Sequence, residues 1–163
     1  MKSYCTKEEV NSLFGDISDD ITDEMFTTVI DNSTAWVDSN LKKSYVPLPN
    51  ITIEMVNTDG STTVVESITS TTATYNLINV PHGLRTAAIY YAASDILLSL
   101  YHGDELPVQY DVWFQKAQGF LEDYISSYLN SEADNADLVA HQMVKHSKGL
   151  TYNQKRNRGY RRW

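Results

Sequence analysis

The chain of 163 residues is poor in cysteine, proline, glycine and, over most of its length, positive charge. Its one cysteine, Cys5, cannot form an intramolecular disulfide, and none of the four histidines is spaced to share a zinc ion with it. A reducing, cytoplasmic site of synthesis is therefore the default expectation. Met1-Lys2-Ser3-Tyr4 runs into polar, acidic sequence, so no signal peptide is expected. No long hydrophobic run exists either: the most apolar stretch, Leu84 to Tyr101, is broken by Arg85, Ser94, Asp95 and Ser99, and reads as a buried helix rather than a membrane span. A phosphate-cradling glycine loop, a GxSxG elbow and an HExxH pair are all missing.

What is present suffices for one compact domain, with 42% hydrophobic and 11% aromatic residues. The net charge of −8 is a sum of unlike parts. Residues 1–140 hold six basic against 21 acidic residues, a balance of −15, while 141–163 hold seven basic residues and no acid, +7. An acidic body carries a basic tail.

Thr6-Lys7-Glu8-Glu9 has capping-box spacing and Phe14-Gly15 a stop, which predicts a first helix over Lys7 to Phe14. From Thr22, the residues Met25, Phe26, Val29, Ile30, Trp36, Val37 and Leu41 recur at helical steps, predicting a long second helix to about Lys43. Tyr45-Val46-Pro47-Leu48-Pro49 then forbids helix. Residues 51–56 and 62–68 are rich in β-branched side chains and flank Asn57-Thr58-Asp59-Gly60, the signature of a β-hairpin. A further run, Thr72 to Ile78, either extends the hairpin to a small sheet or belongs to a flexible Ser/Thr-rich loop. A third helix follows Pro81, over Leu84 to His102, with apolar residues around most of its circumference. Pro107 opens a fourth, with Trp113, Ala117, Phe120, Leu121, Tyr124 and Tyr128 on one stripe. Ser131 to Asp134 is read as the cap of a last helix ending near residue 148, and 149–163 as an extended arm. The expected class is mainly α: a small bundle of four to five helices over 1–49, 81–130 and 131–148, with residues 50–80 as a hairpin or small-sheet insertion.

Candidate chemistry is sparse. His82, Asp95, His102 and Asp104 are the one tempting cluster, but the two histidines sit at opposite ends of the third helix, about 30 Å apart at 1.5 Å per residue, and cannot share a metal. His141 and Lys145 fall four residues apart and read as a solvated face. Asn32-Ser33-Thr34 matches a glycosylation sequon but lies mid-helix. With no convergent carboxylate, histidine or cysteine set, neither enzyme activity nor a cofactor or metal is expected. The tail differs, because Tyr152, Tyr160 and Trp163 are interleaved with Lys155, Arg156, Arg158, Arg161 and Arg162. Arginine forks onto carboxylates while rings fill pockets, the composition of a docking anchor. The same composition suits a nucleic-acid arm or a solubilising terminus.

Tyr4-Cys5-Thr6-Lys7-Glu8-Glu9, Leu13-Phe14-Gly15, Ile30, Ala35, Val37-Asp38, Leu41 and Tyr45-Val46-Pro47-Leu48-Pro49, followed by Pro81-His82-Gly83-Leu84-Arg85-Thr86-Ala87-Ala88, together resemble the head-tail connector (adaptor) proteins of tailed phages. The likeness covers residues 4–49 and 81–129. It implies a structural virion protein assembled in the host cytoplasm: a homo-oligomeric ring, twelve subunits in most members, between the portal and a stopper or tail-terminator protein, with DNA passing through the lumen. Neither a membrane nor sequence-specific DNA binding is implied. The segment 50–80 and the basic tail both depart from the core pattern. Asn57, Thr58, Asp59 and Gly60 are then candidates for contact with the next ring, and the tail from Tyr152 to Trp163 for gripping the portal. The apolar circumference of the third helix makes Ile89, Ala92, Ala93, Ile96 and Leu100, with Trp113, candidates for the ring interface, which should bury more than about 2,000 Å² per pair. Acid lining a channel would let DNA slide without sticking. Two other readings are open: a small nucleic-acid-binding protein that uses the tail, and a regulator of a host protein.

Overall fold

The computed structural model describes residues 2–15, 21–68, 73–101 and 107–157, the last 22 of these by backbone alone. The chain divides into two units, Met1–Ile125 and Ser126–Trp163. Four helices and one three-stranded sheet make up the described residues: α1 (Lys7–Asn11), α2 (Asp23–Lys43), β1 (Thr52–Val56), β2 (Thr62–Val65), β3 (Thr74–Ile78), α3 (His82–Leu100) and α4 (Val108–Asn157).

The helix starts follow local chemistry. Thr6 and Glu9 form the reciprocal capping box, with the Thr6 amide donating to Glu9 Oε2 at 2.9 Å. Thr22 Oγ1 accepts from the Met25 amide, while Asp23 and Glu24 at the start of α2 and Lys42 and Lys43 at its end suit the helix dipole. Pro81 precedes α3 and Pro107 precedes α4, as the missing proline amide allows at a first turn.

Burial follows the same stripes. Phe26, Val29, Ile30, Val37 and Leu41 of α2 are buried, and Ser33 and Thr34 fill the stripe between them by bonding back to the Ile30 carbonyl. Of the sequon residues, Ser33 and Thr34 thus face the core, while Asn32 is exposed. α2 packs along α3, and α1 packs on both. From α4 come Trp113, Ala117 and Leu121, with Trp113 set edge-on to Phe14 at 5.3 Å between ring centroids. Gly83 permits the close approach of α3 and α4, since a Cβ there would lie 3.3 Å from Tyr124 Cβ.

The third extended run is a strand. The sheet order is β2-β1-β3, both pairs antiparallel, with Ile53 opposite Val65 on one side and Leu77 on the other. Ile53, Tyr75 and Leu77 form its buried face. Asn57 to Gly60 closes the hairpin: the Gly60 amide donates to the Asn57 carbonyl, and Gly60 at φ +82° takes the left-handed position that follows such a turn.

Several boundaries differ from the sequence reading: α1 ends at Asn11, short of Phe14, and α3 starts at His82, ahead of Leu84. α4 passes through 131–134 and 149 to Asn157, where a new helix and then an irregular arm were expected. The Ser131 hydroxyl donates to the Tyr128 carbonyl at 2.7 Å, so it bonds backward along the helix it belongs to instead of capping a new one. α3 ends at Leu100, before His102, which with Asp104 lies outside the described residues.

Candidate functional site

The segments that carry the family likeness, far apart in sequence, meet in the first unit. Tyr4 is buried and its hydroxyl donates to Asp38 Oδ1 at 2.6 Å. Burial first, then the Asp38 carboxylate, pushes the phenol well above its ordinary pKa. Cys5 lies fully buried with its sulfur 3.8 Å from Ser33 Oγ, and burial pushes its thiol up to about 12 despite that contact. It is an inert core residue. Glu9 accepts from the Thr6 amide through one oxygen and from Arg85 Nε, at 2.5 Å, through the other, so one carboxylate ties the start of α1 to α3. Glu9→Ala removes both bonds and leaves Arg85 without its acid. An unfolding free energy lower by about 1–3 kcal/mol is expected from urea titration, and Glu9→Gln, which keeps the cap bond, should recover part of it.

The Tyr45-Val46-Pro47-Leu48-Pro49 segment forms a tight exit from α2. Val46 N donates to the Leu41 carbonyl at 2.9 Å and Tyr45 N to the Lys42 carbonyl at 3.2 Å, the two bonds of a Schellman cap. Val46 and Leu41 are both buried, which supplies the accompanying apolar contact. The left-handed position in such a cap normally belongs to glycine, yet here it is Tyr45, at φ +58° and 93% exposed. An L-residue pays about 1–2 kcal/mol for that backbone, and the ring recovers little inside its own chain. Sequence reasoning missed this; the missing glycine after a helix of this length was the available signal.

A cleft of about 250 Å³ opens between α1, the first half of α2 and the approach to β3. Phe26, Ile30, Ile68 and Tyr75 line it, with Glu8, Thr27 and Asp31 at exposed positions around it. Lys7 is engaged at its side, paired with Asp23 and set over the Phe26 ring at 5.3 Å. A second feature absent from the sequence reading is a line of half-buried rings across three helices: Trp36 stacks on Tyr91 at 4.4 Å, and Tyr91, Phe114 and Tyr110 follow at about 6 Å spacings. Burial and then the charge of nearby Asp95 raise the Tyr91 phenol.

The residues expected at a ring interface are mostly elsewhere. Ala92, Ala93 and Ile96 have no exposed surface and Trp113 has 7%, so all four belong to the core of a single chain. Small alanines let α1 and α2 close directly onto α3, while Leu98 on the same helix stays 44% exposed. Ile89 and Leu100 are half-buried. At the hairpin tip, Thr58, Asp59 and Gly60 are exposed and Asn57 half so. The tip's polar groups are bonded locally: Asn57 Nδ2 to Ser61 and Thr63, and Asp59 Oδ1 to the Ser61 amide and hydroxyl, which holds the Asp59 carboxyl below its usual range. In the tail, Tyr152, Lys155 and Arg156 are on the backbone of α4, while Arg158, Tyr160, Arg161, Arg162 and Trp163 lie outside the described residues.

Among the described residues no group of three or more His, Cys, Asp and Glu is placed to hold a metal, and no helix is long and apolar enough to cross a membrane. Asp95 accepts from Asn32 at 2.9 Å, and His82 sits exposed in the first turn of α3. Comparison of the chain with protein-family models, curated proteins and solved structures finds no match.

Proposed function

We propose that the chain is a head-tail adaptor, a structural protein that forms a ring between a phage portal and the neck or tail and extends the DNA channel. One observation carries the reading: the motifs that resemble that family are the joints of the first unit, linking Tyr4 to Asp38, Glu9 to Arg85 and Leu41 to Val46. Residues that share a motif because they share a scaffold should meet in this way. The charge split supports it further, since a body of −15 repels DNA passing a lumen, while the basic, aromatic tail suits an acidic, apolar groove on a neighbour.

The test is co-assembly with the portal protein of the same virus, followed by negative-stain imaging. Rings stacked on the portal are expected from the full chain. A chain ending at Lys148 should lose portal affinity by about tenfold or more; unchanged co-assembly would sink the docking role of the tail. Retention on duplex DNA that weakens by about 0.9 log units per log unit of salt for each phosphate contacted, without portal binding, would favour the nucleic-acid reading instead.

A further inference from the structure

We infer that Tyr45 is the knob, and the cleft between α1, α2 and β3 the socket, of a head-to-tail contact between two copies of this chain. The inference deepens the ring reading by naming the surfaces that would meet. Tyr45 stands 93% exposed in a backbone conformation that favours glycine, so packing among the described residues does not explain the side chain. Large aromatics held clear of their own fold are the common anchors of protein interfaces. The cleft, at about 250 Å³, is below the roughly 300–1,000 Å³ of sites for drug-sized ligands and suits one large side chain. Its apolar lining of Phe26, Ile30 and Ile68 matches a ring, and Thr27 and Asp31 can meet a phenol hydroxyl.

Charge selects the same pairing. Exposed Lys42 and Lys43 lie just before the knob. These are two of only six basic residues in 1–140. Around the cleft, Glu8 and Asp31 are exposed, and the charge of Lys7 is already met by Asp23. A basic knob therefore faces an acidic socket. The two lie at opposite ends of α2, with Tyr45 just past its last turn and about 22 Å from Ile30 at 1.5 Å per residue. A contact between unlike surfaces so separated is heterologous, and repeated it closes a ring or grows a filament.

Sedimentation velocity of the full chain over a concentration series tests the contact. The wild-type chain is expected to associate with rising concentration, and Tyr45→Gly to weaken association by about tenfold or more. Glycine suits the left-handed cap, so the variant's melting temperature should hold or rise, which separates lost association from lost folding. Thr27→Trp, which fills the cleft mouth, should also be monomeric. An equimolar mixture of the two variants keeps one intact knob and one intact socket, and should form dimers that grow no further. A wild-type chain that stays monomeric, or Tyr45→Gly associating as the wild type does, overturns the contact. Rings on the portal that survive Tyr45→Gly would do the same while leaving the adaptor reading standing. Association through Tyr45 without portal binding would do the reverse.

Discussion

Trp113→Ala is expected to lower the unfolding free energy of the dilute, monomeric chain by about 3–5 kcal/mol, the range for deleting a large buried aromatic. Trp113 is 7% exposed and meets Phe14 edge-on, so its loss removes apolar burial, breaks a ring pair and leaves a cavity where α4 joins the core. A ring-interface tryptophan would behave otherwise, because the separated chain would lose little and only assembly would suffer. Urea denaturation at a concentration where the protein is monomeric distinguishes them. A loss below about 1 kcal/mol would return Trp113 to the surface.

Stability should fall as pH rises from about 9 towards 12. The Cys5 thiol, with an ordinary value of 9.0, is pushed up to about 12 by burial. Between those values the unfolded chain releases the proton while the folded chain keeps it, so the folded state binds more protons and loses stability with rising pH. At about 1.4 kcal/mol per pH unit, the three-unit window amounts to about 4 kcal/mol at most. Tyr4, whose phenol is also raised, adds to the slope above pH 10. Cys5→Ala should flatten the profile between pH 9 and 10, and Tyr4→Phe should reduce what remains above it. An unchanged slope in Cys5→Ala would show that another group titrates on unfolding.

Local features were the most legible. Thr6, Thr22, Pro81 and Pro107 mark helix starts because a cap or a missing amide acts within one turn. The hairpin was legible for the same reason, its turn being set by Asn57 to Gly60 alone. Ser131 failed as a signal because its hydroxyl can cap a following helix or bond back to the preceding turn, and only the path of the chain selects. The core stripe of α3 was readable as buried, but periodicity cannot say what covers it. Ala92, Ala93 and Ile96, expected at a neighbour, are buried within the single chain, where α1 and α2 pack on α3.

The candidate surfaces were least legible. Nothing local pairs Glu9 with Arg85 across 76 positions, or lines Trp36 up with Tyr91, Phe114 and Tyr110. By itself the sequence determined the helical class, the positions of the breaks, the absence of a disulfide within the chain and the opposed charges of body and tail. Each follows from composition or from contacts within a few residues. Only the tertiary structure decided which apolar side chains are consumed by the core and which, like Tyr45, are left outside it. That outcome depends on distances between segments far apart in the chain, which close packing sets and local sequence does not encode.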